Sequence, residues 1–229
     1  MRALAAALCG MILALALALP ASAQEYVAVR GPLADDDFYR VVACAAKPGA
    51  PCRKPFLRWP LSRRNDLTVA IAPGPLRPGQ REHYARGLDA ALHEINAQAA
   101  GLHLRRVEGM ADMTIYVVAT PPGRVMRRTG VADFDGLVLP LALVTVRARA
   151  GEIHTARIAI SAQARDEDVP SLLLEEVVQG LGLITDIEGG AYRGSIFAEH
   201  GNATVRLAGQ DAMALRRHYA EPVLLAAGS

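Results

Sequence analysis

The stretch that most constrains this chain is DVPSLLLEEVVQGLGLITD, Asp168 to Asp186. An acidic cap residue followed by proline in the first turn is a helix start signal. Gly182 is a terminator, so the pattern predicts a helix from near Asp168 to about Leu181. Leu173, Leu174, Val177, Val178 and Leu181 cover most of its circumference, and a helix that is apolar nearly all round is a buried one. Positions advance about 100° per residue. Measured from Leu172, Glu175 falls near 300°, Gln179 near 340° and Glu176 near 40°, so the three share one arc of roughly 100°. Two carboxylates and an amide on a buried helix must be hydrated, paired or bound to something. The arc is therefore a candidate cleft floor. The plainer reading, a polar stripe facing water, is the ordinary one for a one-sided stripe.

The rest of the chain supplies the cover such a helix requires. Leu67 to Ala72 (LTVAIA) is β-branched and apolar, and Pro73-Gly74-Pro75 bounds it, as in a buried strand. From Gly79 to Ala99 the positions Tyr84, Leu88, Ala91, Leu92, Ile95 and Ala99 recur at helical spacing, and Gly101 stops the run. Leu102–Glu108 and Met113–Ala119 read as strands. Thr120–Gly136 reads as an excursion with a loop, and the segments on either side of Gly151 as a hairpin. A last helix spans Asp211–Tyr219 and ends before Pro222. Strand, helix, several strands and two helices in that order predict an α/β (α+β) domain with helices packed on a mixed sheet.

The start of the chain has a separate logic. Arg2, the small and apolar run Ala3–Leu19, the helix breaker Pro20 and Ala21-Ser22-Ala23 form a secretory signal peptide over residues 1–23, cut after Ala23. The expectation is a periplasmic or secreted protein with no membrane anchor after cleavage. Residues 24–60 read as an irregular N-terminal extension, and 61–229 as the main domain. Export favours a disulfide between Cys44 and Cys52. Arg53, Lys54, Arg58, Arg63 and Arg64 surround Phe56 and Trp59; this is read as a solvated arm with its two aromatics packed on the domain. A formal charge of +2 gives no reason to expect nucleic acid as a partner. Nothing in the sequence fixes an oligomeric state.

The helix resembles the zinc helix of the metzincin branch of zincin metalloproteases, His-Glu-x-x-His-x-x-Gly-x-x-His followed by Asp. Laid on that motif without a gap, Glu175 stands at the first ligand, Glu176 at the general base and Gln179 at the second ligand. Gly182 stands at the turn glycine, Thr185 at the third ligand and Asp186 at the trailing acid. Ser195-Ile196-Phe197 stands where metzincins have a methionine turn, with Phe197 in place of Met. The upstream helix and strands and the final helix extend the likeness over roughly Leu67 to Pro222. The chain also resembles a family of exported bacterial zincin-like proteins that carry Glu-Glu-x-x-Gln-x-Leu-Gly-Leu with a later Ser-Ile-Phe. The implied fold is zincin-like: a mixed twisted sheet, a long backing helix and a buried active-site-type helix.

The departures decide what chemistry is implied. Catalytic zinc takes three protein donors, usually imidazoles, and leaves an open water position. Here no imidazole is kept, Gln179 offers a neutral amide and Thr185 a neutral hydroxyl. That set disfavours zinc, and no other cofactor is expected. Without a metal-activated water, Glu176 has nothing to deprotonate. The leading expectation is a degenerate zincin, a pseudoprotease acting as a binding or structural module for a polypeptide or cell-envelope component. The alternative is an active metal-dependent hydrolase with Glu176 as base and a harder cation held by Glu175 with Asp186 or His200.

Overall fold

The structure is a computed structural model, and it describes residues 21–22, 25–201 and 203–220. Most of the leader and its cut after Ala23 lie outside the described residues, as does Pro222. In chain order the described residues form β1 (Ala21–Ser22), β2 (Glu25–Ala28), α1 (Asp35–Cys44), α2 (Leu61–Arg64), β3 (Leu67–Ile71) and α3 (Pro78–Ala97). Then come β4 (Leu104–Arg106), β5 (Met113–Val118), β6 (Arg124–Val125), β7 (Val138–Leu139), β8 (Ala142–Arg149) and β9 (Glu152–Ser161). The chain ends in α4 (Val169–Gly180), β10 (Thr185–Glu188) and α5 (Gly209–Tyr219).

The fold class is mixed α/β, as the alternation of apolar strands and amphipathic helices predicts. The main sheet runs β8-β9-β5-β3-β4, with β1 paired outside β8 through two residues. β4, β3, β5 and β9 are parallel to their neighbours, and β8 is antiparallel to β9. Parallel strands carry apolar residues on both faces because helices and loops cover them; Val69, Ile115 and Ile158 are each fully buried. The Gly151 turn makes the expected β8–β9 hairpin.

Helix α4 packs against α3 on one side and against β8 and β9 on the other. Two glycines allow that closeness. A Cβ on Gly87 of α3 would sit 2.9 Å from Leu173 Cδ1, and one on Gly180 would sit 3.2 Å from Met113 Sδ. Asp168 is the cap residue of α4 but makes no capping hydrogen bond. Its carboxylate instead takes two bonds from Arg165, both at 2.8 Å. The excursion is also better built than its sequence suggests: Met126, Val131, Phe134 and Leu139 form a small second core. Asp133 ties it to the hairpin through Arg147 and Arg157.

The described residues 25–60 are not irregular throughout, whereas the basic arm keeps Arg53 and Arg63 exposed with Trp59 packed on the domain. Asp35–Cys44 is a helix with three acids in its first turn, and Phe38, Val41 and Val42 are fully buried. Acids at a helix N-terminus are favoured by the helix dipole. Strand β2 pairs in parallel with β10, Glu25 opposite Thr185 and Tyr26 opposite Asp186. Trp59 is buried, its Nε1 donating to the Gly180 carbonyl at 3.0 Å, whereas Phe56 is half-exposed. Cys44 and Cys52 are joined by the expected disulfide. No helix among the described residues is long and apolar enough to cross a membrane.

Candidate functional site

The polar arc of α4 faces a cleft of about 510 Å³. Glu175, Glu176 and Gln179 line it, as the helical geometry predicts, together with Asp186 from β10. Pro140, Leu141 and Ala142, where the chain enters β8, also line it. Two of the three motif ligand positions therefore converge on one open volume. The third does not. Thr185 is fully buried and lies outside the lining; Asp186, the next residue, reaches the cleft instead.

Glu176 and Gln179 are almost completely buried, at 4% and 2% exposure, yet each keeps an unpartnered oxygen. The Gln179 Nε2 donates to Asp186 Oδ1 at 3.0 Å and, more weakly, to Glu175 Oε1 at 3.5 Å. Its Oε1 has no partner, and neither does Glu176 Oε2 or Thr185 Oγ1. Buried polar atoms in native folds are normally satisfied, so the two on the lining residues Glu176 and Gln179 mark this spot.

The electrostatics point the same way. Burial pushes the Glu176 carboxyl well above the usual carboxylate range, and the charges of Glu175 and Asp186 add to it. Burial likewise raises Asp186, with Glu175 and Glu199 adding, against the Gln179 hydrogen bond and the charge of Lys54. Desolvation and like-charge crowding both disfavour the ionised form. Glu176 and Asp186 are thus held toward their protonated forms.

The turn positions have structural work. Gly182 has φ +102, and a Cβ there would meet the Leu57 carbonyl oxygen at 1.9 Å. Leu57 in turn accepts from His218 Nε2 at 2.8 Å, which fixes the Nε2–H tautomer because a carbonyl cannot donate. Nδ1 then accepts from the Tyr39 hydroxyl at 3.2 Å, and Arg58 donates to the same hydroxyl at 2.9 Å. Burial pushes the His218 pKa down to about 3. Tyr219 closes the network by donating to the Leu181 carbonyl at 2.6 Å.

Phe197 is fully buried and packs edge-on against Phe38 at 6.0 Å between ring centres. Its turn is anchored from α5. Ser195 Oγ donates to Asp211 Oδ1 at 2.6 Å, Ile196 N–H donates to Oδ2 at 2.9 Å, and Phe197 N–H donates to Ser195 Oγ at 3.1 Å. Ile187 N–H donates to the Phe197 carbonyl at 2.7 Å, which docks the turn on β10. His200 follows the turn but lines a neighbouring cavity of about 280 Å³ with Glu188 and Arg193.

A zinc ion, the group the motif resemblance implies, does not fit these residues. Among the described residues no three His, Cys, Asp or Glu side chains are grouped to hold a metal. The donors facing the cleft are oxygens only, whereas zinc prefers nitrogen and sulfur. Gln179 directs an N–H, not an acceptor, at Asp186. Asp186 and Glu199 are the cleft residues that sequence reasoning undervalued. The signal was present for Asp186, an acid on a strand beginning three residues beyond the turn glycine.

Residues 38–225 match a protein family described as "Protein of unknown function (DUF2927)". No curated protein matches the chain.

Proposed function

The chain belongs to the DUF2927 family, whose description assigns no activity, so we propose a function from the cleft itself. The protein is an exported, zincin-like domain with a degenerate metal site, and it acts as a binding module for an extended polypeptide of the cell envelope. One observation carries this reading: Glu175, Glu176 and Gln179, at the three central motif positions, share an open cleft with buried acceptors left unpartnered. The long helix α3 behind a buried α4, and a mixed sheet, support the zincin-like relationship. The position of β8 supports the mode of binding. It is antiparallel to β9, its first residue Ala142 lines the cleft, and β1 pairs on its outer side at Thr145 and Val146, beyond the cleft-lining end. An extended peptide added to such an edge gains main-chain hydrogen bonds while its side chains enter the cleft.

The test combines three measurements on protein purified without chelator. Metal content is expected to be far below one zinc per chain, and unfolded protein substrates are expected to stay intact. An unfolded polypeptide is expected to bind, and Leu172→Arg, which places a bulky side chain on the cleft wall, is expected to abolish binding. Stoichiometric metal with cleavage lost in Glu176→Gln would establish the hydrolase reading instead. Binding unaffected by Leu172→Arg would move the function away from the cleft.

A further inference from the structure

Glu176 Oε2 and Gln179 Oε1 are buried, belong to lining residues and have no partner. Once ionised, Glu176 presents an acceptor beside the amide oxygen of Gln179, so a cationic donor fits the pair and offsets the cost of ionising the buried carboxyl. The surroundings set its charge. Glu175, Glu176, Asp186 and Glu199 all line the same volume. Among the described residues Arg165 is the one cationic side chain in the lining, and it is already engaged by Asp168 at 2.8 Å and Glu167 at 3.1 Å. Lys54 eases the charge on Asp186 but does not line the cleft. A neutral donor would leave Glu176 and Asp186 crowded toward their protonated forms, whereas a cation lets them carry charge beside it.

The donor geometry separates an organic cation from a metal ion. The Gln179 amide N–H already lies between Asp186 and Glu175, at 3.0 and 3.5 Å, putting a donor where a metal shell would need an acceptor. No three acidic or other ligating side chains are grouped for a metal among the described residues. An ammonium or guanidinium group spreads several N–H donors and needs no closed shell of ligands.

We propose that this cleft binds an organic cation, an alkylammonium or guanidinium group, seated on Glu176 Oε2 and Gln179 Oε1 and flanked by Glu175 and Asp186. The proposal rests on the binding-cleft reading and names the kind of group that the cleft takes. The cation has two chemically equivalent sources, a lysine or arginine side chain of a bound polypeptide and a free small amine.

The experiment is calorimetric titration of the purified protein with capped pentapeptides Ala-Ala-Xaa-Ala-Ala, where Xaa is lysine, arginine or the uncharged norleucine, and with n-butylammonium. The lysine and arginine peptides are expected to bind at least about tenfold tighter than the norleucine peptide. Glu176→Gln, which keeps the shape but removes the charge, is expected to cut that preference below about threefold. Butylammonium should also shift the side-chain amide resonances of Gln179. A lysine peptide about tenfold tighter than butylammonium assigns the site to polypeptide side chains; equal affinities assign it to free amines and count against polypeptide binding. Equal binding of the lysine and norleucine peptides overturns the cation site while leaving the polypeptide reading intact. No binding of any probe up to roughly 10 mM, with an unfolded polypeptide still bound, overturns it as well.

Discussion

Replacing Gly182 by alanine tests whether the turn after α4 is fixed by a backbone that no side chain tolerates. At φ +102 an alanine leaves its allowed region, which costs roughly 1–2 kcal/mol. The contact is the larger part. The added Cβ would lie 1.9 Å from the Leu57 carbonyl oxygen, 2.9 Å from its carbon and 3.0 Å from His218 Nε2. The Leu57 segment would have to retreat by more than about 1 Å to reach ordinary contact. That movement strains the hydrogen bond from His218, a fully buried side chain, and a buried donor left unpaired costs about 1–3 kcal/mol. It also disturbs Trp59, whose backbone N–H donates to the Tyr219 hydroxyl at 3.3 Å. The expected loss is about 3–6 kcal/mol, read as a lower urea midpoint at neutral pH. Gly49→Ala is the control: φ is +71 there and nothing lies within 4 Å of an added Cβ, so about 1–2 kcal/mol should be lost. If the two variants lose the same amount within about 0.5 kcal/mol, the clash does not hold the turn and the reasoning is refuted.

Three further outcomes are expected. Glu176 and Asp186 have folded-state pKa values above their unfolded ones. The folded protein therefore holds extra protons above about pH 4.5, and each group costs the fold about 1.4 kcal/mol per pH unit until its own pKa is reached. Glu176→Gln should gain stability relative to the parent as pH rises above about 5; a pH-independent difference between their urea midpoints would contradict the burial of that carboxyl. Asp211→Ala removes the acceptors of Ser195 Oγ and Ile196 N–H, so a loss of about 2–4 kcal/mol is expected, with faster amide exchange at Ile196 and Phe197. Reducing the Cys44–Cys52 bridge, which closes a sequence separation of 8, should lower stability by about 2.5 kcal/mol on the chain-entropy account, and calorimetry under mild reductant measures it.

Much of the fold was legible because it rests on periodicity. The strands at β3 and β5, the hairpin around Gly151, and α3, α4 and α5 all lie within a few residues of their sequence-based limits. The convergence of Glu175, Glu176 and Gln179 follows from helical geometry alone, since α4 is regular across them. Helix α1 was not legible for a physical reason. Its ten residues open with Asp35-Asp36-Asp37 and continue through Tyr39, Val41 and Val42, which have modest helix propensity; the burial of Phe38, Val41 and Val42 in the main core supplies what local preference lacks. Strand β2 was hidden because four residues carry little pattern and its partner β10 is remote in sequence. The same remoteness hid Thr185 and Asp186: β10 alternates its side chains, and which of the two faces the cleft depends on pairing that no local signal reveals.

The clasp between α1 and α5 governs how this domain can come into being. Helix α1 packs on α5, with Arg217 paired to Asp36 at 2.5 Å and stacked over Tyr39, and Gln210 donating to Asp35 at 2.8 Å. Phe38 and Val42 cannot be buried until residues near 209–219 have been made. Until α5 has been made, the chain thus carries an unfinished domain with an apolar helix still uncovered. Folding that waits on such long-range contacts is slow, so the polypeptide stays open well after α1 has been made.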